Sequence, residues 1–355
     1  METVALALLD PFSSRAEALW RELEQTTQIY FLRWGWIENW LALLPRRALP
    51  KLAVVERDGA PVAAGFLTRR RVLRHGVVPS RALYLNTTGD PVLDDVWIEH
   101  NNVLGDGALA DLIAALPRGW DELYVPATDE ALVPGALPPD LTLKIDREVT
   151  SHHVDLDQVR ARGYPALLGS STRAQLRRAE RRAGELTVEI PRDADEALEM
   201  FDELVVLHQR RWQARDMPGA FADPWFRRFH RRLIAGRYAS GEIQLMRVRS
   251  RTRTIGCLYN FVCGGHVLFY QCGLAMPEHP HEKPGYICHA RAIEHSAAAG
   301  HAIYDLLGGD SRYKANLATD ATRLVWLRVQ RKRPWFALED LATRALRSWR
   351  ARSSS

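Results

Sequence analysis

The chain has 355 residues, 46% of them hydrophobic and 26% charged, with a formal net charge of +5. That length holds two domains of ordinary size, the balance is that of a folded chain rather than a disordered one, and no apolar run approaches the ~18–20 residues that cross a bilayer. The modest basic excess, mostly arginine, suits a phosphorylated ligand, an RNA or an anionic surface without choosing among them.

The opening METVALALLDPFSS lacks the basic region of a signal peptide, and Asp10-Pro11 ends its apolar run. Residues 12–44 read as two helices, the second with Trp36, Trp40 and Leu41 at helical spacing. Residues 51–70 alternate around Asp58-Gly59, which is a hairpin signal. RALYLNTTGD predicts a strand ending in a polar turn, and GALADLIAALPRGWDELYVPA a helix, a Pro-Arg-Gly stop and a buried strand. GDGALA at 105–110 fits a GxGxxA pattern, but VWIEHNNVL before it is too polar for a central parallel strand, so a dinucleotide site is set aside. The proline-rich, weakly patterned stretch 134–152 marks the seam between a module at 1–145 and another at 146–330.

GSSTRAQLRRAERRAGE predicts a helix capped by Ser170 or Ser171 and ended by Gly184. Arg173, Arg177 and Arg181 share one face of it, beside Arg178 and Arg182. Either this face is simply solvated, or its guanidinium forks meet phosphate. In the next helix, Met200, Leu204, Leu207 and Trp212 trace an apolar face that brings His208 and Arg211 side by side. Three strands then form a meander with turns at Arg251–Arg253 and Gly264-Gly265. A helix over 285–299 closes at Gly300, and HAIYDLLGG is a strand. Each half therefore runs hairpin, strand, helix, glycine, buried strand. The fold expected is α/β, with two tandem modules of mostly antiparallel sheet flanked by helices.

The four cysteines, Cys257, Cys263, Cys272 and Cys288, form no CxxC or zinc pattern and read as buried small hydrophobes in a reducing cytoplasm. HPHEKPG offers His279 and His281 without a third and fourth ligand at metal spacing, so no metal is expected. In the tail 331–355, Trp335, Leu338, Ala342, Ala345 and Trp349 fall on one stripe opposite arginines. Such a stripe packs on its own domain or lies on an anionic membrane surface, which would place the protein at the inner face of a membrane.

Chemistry concentrates in two segments. Lys283-Pro284-Gly285 opens directly into a helix whose first amides, at Gly285 and Tyr286, suit a phosphate. IYDLLGGDSRYK places Asp305, Asp310, Tyr313 and Lys314 around two glycines at a strand end. A β-meander ending at YQCGLAMP, a helix born from a glycine loop and a strand with polar groups at its end resemble the acyl-CoA-binding core of the GNAT acyltransferase superfamily. FDELVVLHQRRW and YDLLGGDSRYK narrow the resemblance to its two-domain branch, the cellulose-biosynthesis acetyltransferase-like (CelD/BcsL-like) and FemAB-like proteins. It covers about 165–320, whereas the Q/R-x-x-G-x-G/A loop of single-domain members is replaced here by HEKPG.

The resemblance implies an N-acyltransferase moving an acyl group from acyl-CoA to an amine or hydroxyl on a small molecule, glycan or peptide. Lys283, Gly285, Tyr286 and Leu274 would hold the donor. Asp305, Lys314 and Tyr313 would act on the reacting atoms, as proton acceptor, cation and proton donor. His208, Arg211, Trp212, Arg177 and Asp310 would bind substrate. The alternative donor is aminoacyl-tRNA, as in the FemAB-like relatives that build peptidoglycan bridges. A third reading is a non-catalytic binding module in polysaccharide or envelope assembly.

Overall fold

Strand-forming alternation recurs along the chain and yields two modules of one plan. The computed structural model describes residues 3–309 and 311–341. The first module runs β1 (Val4–Leu9), α1 (Ser14–Leu23), α2 (Trp34–Leu43), β2 (Lys51–Arg57), β3 (Ala60–Arg74), β4 (Val78–Leu85), α3 (Leu109–Ala115) and β5 (Glu122–Asp129). Next come β6 (Leu141–Asp155), α4 (Leu156–Arg162), α5 (Tyr164–Leu167) and α6 (Ser170–Ala183). The second module repeats the first as β7 (Leu186–Glu189), α7 (Ala194–Gln213), α8 (Pro224–Arg237), β8 (Ile243–Ser250), β9 (Thr254–Cys263), β10 (His266–Leu274), α9 (Pro284–Ala298) and β11 (Ile303–Gly308). Helix α10 (Arg312–Leu317) and β12 (Asp320–Arg331) follow. The hairpin expected at Asp58-Gly59 forms because both residues take positive φ, 50° and 83°, the twist a two-residue turn needs.

The strands join in one sheet of order β1-β2-β3-β4-β5-β12-β6-β11-β10-β9-β8-β7. Neighbours are antiparallel except two corresponding pairs. β4 meets β5 over Ala82–Tyr84 and Glu122–Tyr124, and β10 meets β11 over His266–Leu268 and Ile303–Asp305. α3 and α9 make the crossovers that parallel pairing demands. β5 and β11 also carry matching bulges, with Ala127 at φ 50° and Leu307 at φ 58°.

The modules exchange their last strands. β6 leaves the first module and pairs with β11, while β12 leaves the second and pairs with β5. β6 and β12 pair with each other between them, from Asp320–His153 to Arg331–Leu141. The seam expected over 134–152 is thus corrected. Residues 141–155 are a strand that crosses between modules, and the 145/146 boundary falls inside it. Its charged residues misled the pattern reading because they sit on a partly exposed ladder rather than in a linker. The expected cap of α6 is corrected as well, since Gly169 occupies the N-cap and no side chain bonds there.

α1, α2, α7 and α8 share one face of the sheet, and an aromatic core joins them. Tyr30 stacks on Phe261 at 4.3 Å and Trp36 meets Phe229 at 4.8 Å. A second core gathers α4, α5, α6 and α9 on the other face of the second module. The cysteines are all unpaired, with Cys257, Cys263 and Cys288 buried.

The described part of the tail is helical over 334–341. It is held by Phe336, which is buried, and by Glu339, which bonds Arg74 at 2.8 Å and His75 at 2.9 Å. Of the stripe, Trp335 and Leu338 are exposed, as is Leu341 beside them, whereas Ala342, Ala345 and Trp349 lie outside the described residues. No helix among the described residues is long and apolar enough to cross a membrane. If the stripe meets an anionic surface, Leu338→Glu with Leu341→Glu will abolish sedimentation with vesicles containing phosphatidylglycerol, and undiminished sedimentation would remove that role.

Candidate active site

Past Leu268, β10 and β11 cease to pair. Along that edge lies a cleft of about 670 Å³ between the C-terminal half of α7, the end of β10, the start of α9 and α10. Its position follows from glycine. Gly273 lies so close to α7 that an added Cβ would sit 2.2 Å from the Leu204 carbonyl oxygen. The helix therefore rests directly on β10 and carries His208, Arg211 and Trp212 along the cleft wall.

At one end α9 begins with Pro284, and its N-cap Lys283 makes no side-chain capping bond. Gly285 and Tyr286 line the cleft there, beside Leu274. First-turn amides and the helix dipole make this end attractive to an anion. Arg211, Arg215, Lys283 and Lys314 all line the cleft. Among the described residues none of the four has a carboxylate within ion-pair distance. Glu282, the acidic residue of the lining, is already bonded to Arg253 at 2.7 Å.

At the other end is Lys314. Its Nζ donates to the carbonyl oxygens of Leu307, at 3.1 Å, and Gly308, at 2.8 Å. Those carbonyls lie at the bulge of β11, beside Gly309, whose φ of 149° is strained for any side chain and where an added Cβ would sit 3.2 Å from Nζ. Burial pulls the lysine pKa down, against the upward pull of Glu99 and Asp305. Tyr313 lines the same cleft, and its hydroxyl lies 3.1 Å from Nε2 of His289, whose Nδ1 is 3.2 Å from the Tyr304 hydroxyl. Burial raises the Tyr313 pKa and lowers that of His289 to about 3, so one is a phenol and the other a neutral imidazole.

Asp305 is set apart from these. One carboxylate oxygen accepts from the Leu307 amide at 2.7 Å and Ser151 Oγ at 3.2 Å, and the other lies 3.0 Å from Nε2 of His100. The Nδ1 of His100 is 2.9 Å from Asp129. Burial would discharge His100, but bonds to Asp129 and Asp305 hold its pKa well above the usual range. Burial likewise opposes ionisation of Asp305, and His100 outweighs it, so the carboxyl stays below its usual range. Next to them Glu99 accepts from the Gly308 amide at 2.6 Å and from Trp97 Nε1 at 3.1 Å.

Glu99 and His100 belong to the first module, and the reason they reach the second lies in its own wedge. Where β4 and β5 diverge, Asn101 bonds both strands, its amide to Ala127 O and its Nδ2 to Leu85 O, each at 3.0 Å. Asn86 bonds Asn101 at 2.9 Å, and Leu104 bridges to Ala64. The chain over 101–104 thus fills the first module's counterpart of the cleft and turns its preceding residues toward β11. The GDGALA glycines serve this path, since a Cβ on Gly105 would lie 2.4 Å from Val62 O.

Nine of the residues expected from sequence line one cleft: Lys283, Gly285, Tyr286 and Leu274 near the start of α9, and His208, Arg211, Trp212, Tyr313 and Lys314 around the rest. Asp305 lies behind it with its oxygens engaged, Arg177 is exposed on α6 outside the lining, and Asp310 is outside the described residues. Of the arginine row, Arg173 instead donates to Leu168 O at 2.8 Å. Sequence reasoning missed Glu99, His100, Gln175 and Arg215. The polarity of VWIEHNNVL, used only to reject a dinucleotide motif, was the available sign for the first two.

Residues 170–315 match the family model for an acetyltransferase (GNAT) domain. No curated protein matches the chain in sequence. Among solved structures, the C-terminal domain (DUF2156) of a protein described as a lysylphosphatidylglycerol synthetase from Agrobacterium fabrum is similar, with 14% identity, a TM-score of 0.53 and coverage of 89% of this chain and 93% of that one. FemX is similar at 12% identity and a TM-score of 0.54, covering 84% and 92%. A conserved protein of unknown function from Bacteroides thetaiotaomicron reaches 0.55 at 8% identity, covering 92% and 100%. At these identities the likeness is one of fold.

Proposed function

We propose that this chain, whose residues 170–315 match the model of an acetyltransferase (GNAT) domain, is an acyltransferase and that its cleft moves an acyl group from a coenzyme A thioester to an amine. The supporting observation is the convergence on one cleft of an uncapped helix start with Lys283 and, opposite, the ammonium of Lys314. The first end takes the donor's phosphates through amides and Lys283. The second meets the acyl carbonyl.

Acyl transfer needs an oxyanion stabilised and a leaving thiolate protonated. An ammonium has three donors. Lys314 uses two on Leu307 O and Gly308 O, which fixes its position and leaves the third for the oxyanion. Tyr313, kept protonated by burial, gives its proton to the departing thiolate. The amine nitrogen bonds the acyl carbon as the carbon–sulfur bond breaks. Free CoA at about a hundred times its Kd is expected to stabilise the protein by ~2.7 kcal/mol. A melting temperature unmoved by millimolar CoA would reject this donor.

Aminoacyl-tRNA is the second reading, favoured by one observation. Arg177, Arg178 and Arg181 are exposed on α6, and Gln175 of that helix reaches the cleft. Gel shifts with tRNA should then weaken steeply between 50 and 200 mM salt, as counterion release requires. Replacing the three arginines by glutamine should remove the shift, and no binding at low salt would exclude the reading.

A further inference from the structure

One side chain on the cleft wall keeps a lone pair without a partner. His208 is 6% exposed, and among the described residues its Nε2 has no hydrogen bond. The close approach of α7 to β10 at Leu204 and Gly273 brings the helix one turn later to Cys272, whose carbonyl oxygen lies 3.0 Å from His208 Nδ1. A carbonyl only accepts, so Nδ1 carries the proton and the neutral ring presents Nε2 as an acceptor. The Phe221 ring, edge-on at 4.8 Å, and Trp212, at 5.8 Å, fix the imidazole plane. We infer that His208, through Nε2, is the general base that removes the proton from the attacking amine. This rests on the cleft being an acyl-transfer site.

The other proton acceptors nearby are engaged. Asp305 is held by Leu307, Ser151 and His100, Glu99 by Gly308 and Trp97, and both ring nitrogens of His289 by tyrosines. Glu282 is bonded to Arg253. The charged or titratable groups sharing the cleft with His208 are otherwise Arg211, Arg215, Tyr270, Cys272, Lys283, Tyr286, Tyr313 and Lys314. The cations among them disfavour an imidazolium. Burial, aided by Arg211 and opposed by the Cys272 bond, sets the His208 pKa below its usual value, so the base is free at neutral pH. In the step itself the amine N–H proton passes to Nε2 as nitrogen bonds the acyl carbon. The carbon–sulfur bond breaks and the thiolate takes the Tyr313 proton; afterwards His208 releases its own proton to water and Tyr313 regains one from water.

The test uses the full chain with acetyl-CoA and a panel of primary amines, reading CoA thiol release against pH. His208→Asn keeps an N–H for Cys272 and removes the base. Wild-type kcat/KM should rise with pH through a pKa below 6.5 and level off. The variant should lose at least about 10²-fold in kcat, lose that acid limb and keep its stabilisation by CoA. CoA stabilisation with an unchanged acid limb in the variant would overturn the base while leaving acyl transfer standing. No stabilisation and no thiol release in wild type would remove the CoA reading and the base together. Nitrogen-15 NMR of the ring gives a readout free of turnover. A proton on Nε2 or an imidazolium at pH 7 would also overturn the assignment.

Discussion

Replacing Lys314 by methionine is expected to lower acyl transfer by roughly 10²–10³-fold, the usual loss when one oxyanion donor is removed, with a melting temperature within a few degrees of wild type. The reason is the mismatch between what this ammonium costs and what it holds. It is partly desolvated and, among the described residues, has no carboxylate within ion-pair distance. Its partners are two main-chain carbonyls at the end of β11. Methionine keeps the stem packed and relieves the desolvation, while the two carbonyls lose a donor at about 1–3 kcal/mol each. These effects oppose each other, so the fold changes little and the chemistry changes a great deal. Lys314→Arg should not restore the rate, because a planar guanidinium cannot place one donor in the cleft while two reach Leu307 O and Gly308 O. Single-turnover rates with acetyl-CoA, alongside thermal melts, measure both. A Lys314→Met enzyme at near-normal rate would remove lysine from the reaction.

Elements announced by turn chemistry and periodicity stood out in the sequence. Asp58-Gly59 and Gly264-Gly265 mark hairpins because positive φ is written in the residue type. The helix at Pro284 and the strand at Ile303 stood out for similar reasons, and with them most of the cleft. The exchange of β6 and β12 was not legible, since alternation identifies a strand but not the strand it pairs with. β12, with its first four residues exposed and the next four buried, lacks even the alternation. The same blindness to distant partners hid the surroundings of Asp305. A carboxylate beside two glycines looked open to substrate. Its actual neighbours, His100 and Ser151, are 205 and 154 residues away in sequence and arrive through the plug and the exchanged strand of the first module.

Asp305→Asn is therefore expected to act first on stability, at roughly 3–5 kcal/mol, the cost of leaving one member of a desolvated charge pair alone. Asp129–His100–Asp305 ties the first module to β11 at the point where β6 enters. Asparagine keeps the shape but leaves His100 charged against a single carboxylate, and it weakens the hold on the Leu307 amide and Ser151. The pH dependence identifies the source. His100 has its pKa raised on folding, so its contribution is complete below the unfolded value near 6.5 and fades as pH climbs through the folded value. Asp305 has its pKa lowered, so its contribution is complete above the unfolded value near 3.9 and fades as pH falls through the folded one. The deficit of the variant should accordingly span the neutral range and close in strong acid, where wild type loses the same carboxylate. Melts of both proteins from about pH 2 to 9 read this directly. Replacing the pair together, His100→Met with Asp305→Leu, should recover much of the loss, because a packed apolar pair avoids the desolvation that the ions must overcome. Asp305→Asn melting with wild type across that range would show that the array ties nothing together.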